Sequence, residues 1–168
     1  MMLYVIQQLE KNKLVFLELL KDISPNRTHW KQANDKWCLL EILCHLYDEE
    51  REDFRFRVKW LLERPGEIPP PFDPLDWVMD HNYMQQDYEP MLYKFIAERE
   101  KSLRWLNSLQ SPNWNNYFEH PKLGKLTASY FLNNWLAHDY LHLRQILKLK
   151  FDYLEHTSGK DPNYAGKW

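Results

Sequence analysis

Apolar residues recur at steps of three and four along most of the chain, and the places where that rhythm fails divide it into four helices. Val5, Leu9, Phe16, Leu17 and Leu20 mark the inner face of a first helix from about Met2 to Lys21, which Ser24-Pro25-Asn26 stops. RTHWKQANDKW then carries neither helical nor strand period and reads as a loop ending at Trp37. A second helix is expected from about Cys38 to Glu63, with Leu39, Ile42, Leu43, Leu46, Phe54, Val58 and Leu61 as its inner stripe. Arg64 to Asp76 holds five prolines and a glycine, so no regular element survives there; so long a connection is placed to cross the bundle or cover a pocket mouth. The third helix, from about Val78 to Leu109, keeps Tyr88, Met91, Leu92, Phe95, Ile96, Arg99, Leu103 and Leu106 in register, and Pro90 kinks it or marks its true start after Asp87. Ser111 to Lys125 is turn-rich and reads as a loop. Thr127 then suits the N-cap of a fourth helix, whose stripe is Ala128, Phe131, Trp135, His138, His142, Gln145 and Leu149, running to about Lys150. The expected fold is all-α, a four-helix bundle forming one domain over residues 1–168. Its aromatic tail, 151–168, is expected to pack Tyr164 and Trp168 back on the bundle or on a second copy.

The fourth helix carries the chemistry. His138 and His142 are four residues apart, so their imidazoles share a helix face, and that face is the seam that packs. One reading makes them core residues whose ring nitrogens meet carbonyls or hydroxyls. Two adjacent buried imidazoles cannot both ionise cheaply, however, and each needs partners at two nitrogens. A metal ion removes that difficulty if another element brings a third ligand, and His45, on the apolar side of the second helix, is the candidate. His29 and His120 fall in loops and are not expected to bind. Asp48 and Glu49 follow His45 on its own face, placed either to reach the metal or its water as catalytic carboxylates or to form a solvated acidic face. Asp139 points about 100° from His138 and is expected to pair with a basic residue. Asn134 is a candidate outer donor, Arg99 and Arg144 suit either an anionic substrate group or surface ion pairs, and Trp135 is the tryptophan expected to line the site.

Composition narrows the partners. A chain of 168 residues with 44% apolar content suits one well-filled core. Its net charge of −2, with the signs mixed, gives no footprint for nucleic acid or for a membrane surface. MMLYVIQQLEKNK has charges in its first turns and no long apolar run, so neither a signal peptide nor a membrane span is expected, and the cytoplasm is the expected location. Cys38 and Cys44 are separated by about 9 Å of helical rise and should stay unpaired, as in a reducing compartment.

These residues also carry a resemblance. Trp37 ahead of EILCHL, then Asp48 and Glu50-Arg51, FIAEREKSLRWLNSL, NYFEHPKLGKLTASYFLNNWLAHDYLHLRQI and the closing YAGKW resemble the DinB/YfiT-like superfamily over nearly the whole chain. The resemblance implies a four-helix bundle with a long connection between helices two and three, and a divalent metal ion held by His45, His138 and His142. One departure is Cys38, where a serine or threonine commonly caps helix two. Three neutral imidazoles suit zinc, nickel, copper or iron and leave a coordination position open. Because some members of the superfamily are thiol S-transferases, the resemblance implies a small-molecule substrate in which a low-molecular-weight thiol joins an electrophile. A metal-dependent hydrolase of amides or esters is the alternative enzyme, and a non-catalytic helical binding or stress-response module is the alternative outside catalysis. Homodimerisation is expected by analogy with bundles of this kind.

Overall fold

The computed structural model of the protein describes residues 1–71, 76–166 and 168. In chain order they form α1 (Met2–Leu20), a short α2 (Pro25–Thr28), α3 (Leu39–Asp48), a π-helical segment (Glu49–Phe54), α4 (Arg55–Glu63), α5 (Asp76–Asp80), α6 (Tyr88–Ser108), β1 (Tyr117–His120), β2 (Gly124–Thr127) and α7 (Ala128–Ser158). Four long elements make the bundle: α1, the continuous α3–π–α4 rod, α6 and α7.

Contacts fix their arrangement. α1 packs on α6 and α7, and the α3–π–α4 rod packs on the same two. Phe16 meets Phe95 edge to face, and the Tyr88 hydroxyl donates to the Leu20 carbonyl, so α1 and α6 run antiparallel. The rod runs parallel to α6, since Glu50 reaches Arg99 and Arg55 reaches Ser102 further along. Two consecutive long elements pointing the same way require a return the length of the bundle, which is the work of the proline-rich connection. Its described ends agree: the Gly66 N–H donates to the Tyr117 carbonyl beside the hairpin, while Trp77 and Tyr83 pack at the opposite end. Phe72 to Leu75 lie outside the described residues, as does the expectation that this stretch covers a pocket.

The core consists of two apolar clusters. One gathers Val5, Leu9, Val58, Leu106, Phe131 and Trp135 beneath the hairpin; the other gathers Phe16, Leu43, Phe95 and Ile146 at the far end. Each fully buried Phe or Leu contributes about 1.5–3 kcal/mol. Between the clusters every long element contributes a buried polar residue at one level: Asn12, Glu50, Arg99 and Asp139. Arg99 lies at its centre, 1% exposed, with Nε on Glu50 at 2.9 Å and two nitrogens on Asp139 at 2.8 and 2.7 Å. Asn12 donates to Asp139 at 3.0 Å and the Trp135 indole to Glu50 at 2.8 Å. Arg99 therefore neither binds substrate nor forms a surface pair; it joins all four long elements.

Several local expectations change. The second helix is one rod but not one regular helix, because the π turn widens it at the acidic run and turns Glu49 and Glu50 inward. The solvated acidic face does not exist: Asp48, Glu49 and Glu50 are all buried. The Glu41 carboxylate accepts the Cys38 N–H at 2.9 Å, which reinforces the helix start despite the cysteine at the cap. α6 starts directly after Asp87, with Pro90 in its first turn where no intrahelical donor is lost. Ser111–Lys125 contains part of a hairpin, Phe118 facing Leu126, whose four-residue strands are too short to declare a period. Thr127 does cap α7, accepting the Tyr130 N–H at 3.1 Å. α7 continues to Ser158, however, because nothing breaks it before Gly159, which adopts the left-handed φ of 61° that ends a helix without Cβ strain. Tyr164 does not pack on the bundle but is fully exposed; Trp168 sits 5.5 Å from Phe151 and is half exposed. Among the described residues no helix is long and apolar enough to cross a membrane.

Candidate metal centre

The antiparallel pairing of the rod with α7 brings His45 opposite His138 and His142, just beside the buried polar layer. Their Nε2 atoms converge: His45 to His138 at 3.3 Å and His142 to His138 at 3.0 Å. One ligand atom from each histidine lies within 4.8 Å of the others, the one such group of three or more His, Cys, Asp or Glu among the described residues. Hydrogen bonding alone cannot satisfy this cluster. The His142 Nδ1–H donates to Gln145 Oε1 at 2.8 Å, which leaves a lone pair on Nε2, aimed at the other rings. Two nitrogens bound to one zinc-like ion at about 2.05 Å and a tetrahedral angle lie about 3.3 Å apart, so the observed spacing fits a shared metal. Three neutral imidazoles are a donor set for a divalent ion, and with three protein ligands at least one position stays open.

Burial sets the protonation of these rings. It pushes His45 down to about 3 and His138 to about 2, with His142 adding to both shifts, and it lowers His142 as well. The walls are aromatic: the Trp37 ring lies 4.9 Å from His45 and the Phe54 ring 5.0 Å from His138. Trp135 does not line the site but stacks on Phe54 at 6.0 Å and bonds Glu50. Asn134 serves its own helix, donating to the Tyr130 carbonyl, and Asp139 pairs with Arg99.

The two acidic neighbours of His45 part ways. Glu49 Oε1 lies 3.9 Å from His45 Nε2, and burial, then Asp53, hold its carboxyl well above the ordinary range. Asp48 accepts the Tyr83 hydroxyl at 2.8 Å and meets His81 Nδ1 at 2.7 Å, on the side of the rod toward α5. His29 bonds Thr28 and the Pro25 carbonyl, and His120 accepts two N–H groups in the hairpin turn. Cys38 and Cys44 are free and buried, and burial raises both thiols, Cys44 to about 12. Sequence reasoning missed the contact of Gln145, although its place three residues after His142 on the same face was a usable signal. It also missed His81, which no periodic pattern marks.

A pH dependence follows for the metal-free protein. The imidazoles are held neutral below their ordinary value, so the unfolded chain binds more protons below pH ~6.5. Their contribution is complete above about 6.5 and is lost as pH falls toward about 3. Each imidazole supplies a slope of up to about 1.4 kcal/mol per pH unit. Glu49, Glu50 and Asp53, each raised by burial, act in the opposite sense across part of that window, since the folded state holds their protons longer. As pH falls from 7 to 4.5, urea midpoints should fall more steeply in Glu49→Gln than in the wild type; parallel profiles would contradict the raised pKa of Glu49.

The sequence profile of the DinB superfamily matches residues 8–146. No curated protein matches the sequence. Among solved structures, the fold is similar to YfiT from Bacillus subtilis, described as a probable metal-dependent hydrolase with an unusual four-helix bundle topology. The TM-score is 0.77 at 17% identity, over 95% of this chain and 89% of that one.

Proposed function

The chain belongs to the DinB superfamily, and on that footing we propose that it is a metal-dependent enzyme that activates a small thiol and transfers it to a small electrophile. The approach of the His45 and His142 Nε2 atoms to His138 Nε2, at 3.3 and 3.0 Å, carries the metal half of this reading. A cavity of about 490 Å³ lined by His142 and Trp37 supports the other half, because it has room for a peptide-like thiol beside the triad. When bound, a divalent ion on His45, His138 and His142 lowers the pKa of a thiol or water at the open position. Glu49, 3.9 Å from His45 Nε2, takes the thiol proton; its charge, disfavoured by burial alone, is favoured beside a cation. The sulfur then forms the new bond to the electrophilic carbon, and the displaced group leaves with its electron pair. The Trp37 and Phe54 rings give the triad apolar walls. The proton-transfer role goes to Glu49 alone, since Asp48 is engaged by Tyr83 and His81; Asp48 anchors the segment that carries Glu49.

Hydrolysis, with water in place of the thiol, is the second reading, favoured by the description of the YfiT fold relative. Zinc-, nickel- and iron-loaded protein assayed on a panel of alkyl halides, epoxides and esters, with and without thiol, separates the two. Turnover that requires thiol is the expected result, and Glu49→Gln should lower it about 10²–10⁴-fold with metal content unchanged. Thiol-independent ester cleavage would replace transfer by hydrolysis. No turnover in any metal form, with the metal bound, would leave a structural site in a binding module.

A further inference from the structure

Both cysteines lie under one short segment of chain. Residues 76–86, made of α5 and a 3-10 turn at Tyr83–Gln85, follow the proline-rich connection and pack on α3. The Tyr83 carbonyl accepts the Cys44 thiol at 3.9 Å, and the Met84 thioether accepts the Cys38 thiol at 3.7 Å. Cys38 is 0% and Cys44 1% exposed, so two consecutive residues of the segment seal thiols on successive turns of the rod.

Little holds the segment in place. Tyr83 is its one buried residue, and Trp77 and Val78 are half-buried against the far apolar cluster. The backbone hydrogen bonds donated by His81, Asn82, Gln85 and Gln86 all close within the segment. Two side-chain links to the rod end on a single atom: Asp48 Oδ2 meets His81 Nδ1 at 2.7 Å and accepts the Tyr83 hydroxyl at 2.8 Å. Asn82, in the left-handed region at φ 48°, turns the chain so that the residues on either side of it reach the same carboxylate. A cavity of about 130 Å³ remains between the two, lined by His81, Tyr83 and Gln86 on one side and by Cys44 and Asp48 on the other. Few buried apolar contacts, with backbone bonds confined to the segment, mark a unit that opens before the rest of the fold.

We propose that residues 76–86 are a strap, latched to the rod through Asp48, that opens as a unit and so gates the reaction of Cys38 and Cys44 with small disulfides. With the strap closed, neither thiol is reachable from solvent. With it open, the thiolate of either cysteine attacks one sulfur of a small disulfide, forms a mixed disulfide with it, and releases the other half as a thiolate. The two cysteines do not pair with each other, since about 9 Å of helical rise separates them, so each takes up its own partner. The strap acts independently of the metal centre.

The test uses full-length chains that keep one thiol each, Cys38→Ser and Cys44→Ala, and follows their labelling by dithiobis(nitrobenzoate) through the absorbance of the released thionitrobenzoate. Breaking the latch in either background, by His81→Ala or by Tyr83→Phe, should speed labelling about 10–100-fold, as expected for loss of a hydrogen bond to a charged group. Cys38 and Cys44 should respond by the same factor. Labelling should also be nearly independent of urea well below the unfolding midpoint, because opening so short a segment exposes little surface. A rate unchanged in either latch variant would remove the latch. Acceleration at Cys44 without Cys38 would show that the segment does not move as a unit, and labelling that climbs with urea as steeply as global unfolding would show that the thiols are reached only in the unfolded chain. Any of these three results overturns the strap.

Discussion

Purified without chelator or nickel resin, the wild type is expected to carry about one equivalent of metal per chain, and His138→Ala to lose it. His138 Nε2 is the atom that both other Nε2 atoms approach, at 3.3 and 3.0 Å, so its removal leaves two donors with no common neighbour. Loss of an outer-shell partner alone weakens metal sites by about 10–100-fold, and loss of a ligand should exceed that. The effect is also thermodynamic. Zinc at a hundred times its Kd should stabilise the wild type by about 2.7 kcal/mol, because it binds the folded state only, and should leave His138→Ala unshifted. Elemental analysis and urea unfolding with and without zinc read both quantities. Full metal retention in His138→Ala, or a zinc shift equal to that of the wild type, would sink the three-histidine site. A Gln145→Ala chain should show the milder loss, since His142 keeps its ring but loses the acceptor that fixes its tautomer.

The largest stability effect is expected from Arg99→Leu, at about 3–5 kcal/mol. The substitution leaves Glu50 and Asp139, 1% and 0% exposed, without their cation in a region that water does not reach. For a chain of this length that corresponds to a melting temperature lower by about 2–4 °C per kcal/mol. A triple variant separates the pairing from the packing. Combining Arg99→Met with Glu50→Gln and Asp139→Asn removes the charges together and should recover much of the loss, because the penalty comes from unpaired charge rather than from absent attraction. A single variant within about 1 kcal/mol of wild type by urea unfolding would show that the layer is not the keystone its contacts indicate. The layer also supports the metal centre, since Asp139 is the chain neighbour of His138 and Arg99 grips it with two hydrogen bonds.

The stripes on the helices were legible because burial on a helix needs only a spacing, and a spacing is local. Val5, Leu9, Phe16, Ile42, Val58, Phe95 and Leu149 are buried because they fall on the inner side of a 3.6-residue turn. Thr127 as a cap and the start of α6 after Asp87 were equally local, each a matter of one side chain and one backbone. The hairpin and the end of α7 were not, because a four-residue strand declares no period and a helix that continues needs no signal until Gly159.

The site divides along the same line. The identity of the three histidines came from residue type and position on a stripe, which the sequence alone determined. Tertiary structure decided that His45 meets His138 across 93 positions, since only the antiparallel course of the rod along α7 brings them within reach. It decided too which carboxylate faces the triad: on a regular helix Asp48 and Glu49 were equivalent candidates, and the π turn with its partners Tyr83 and His81 separates them. Arg99 fell in register with the apolar stripe of the third helix, yet its role was read as that of a surface or substrate residue, because a guanidinium is buried only where other elements supply its counter-charges. Those charges sit 49 and 40 positions away, and no spacing within one helix encodes them.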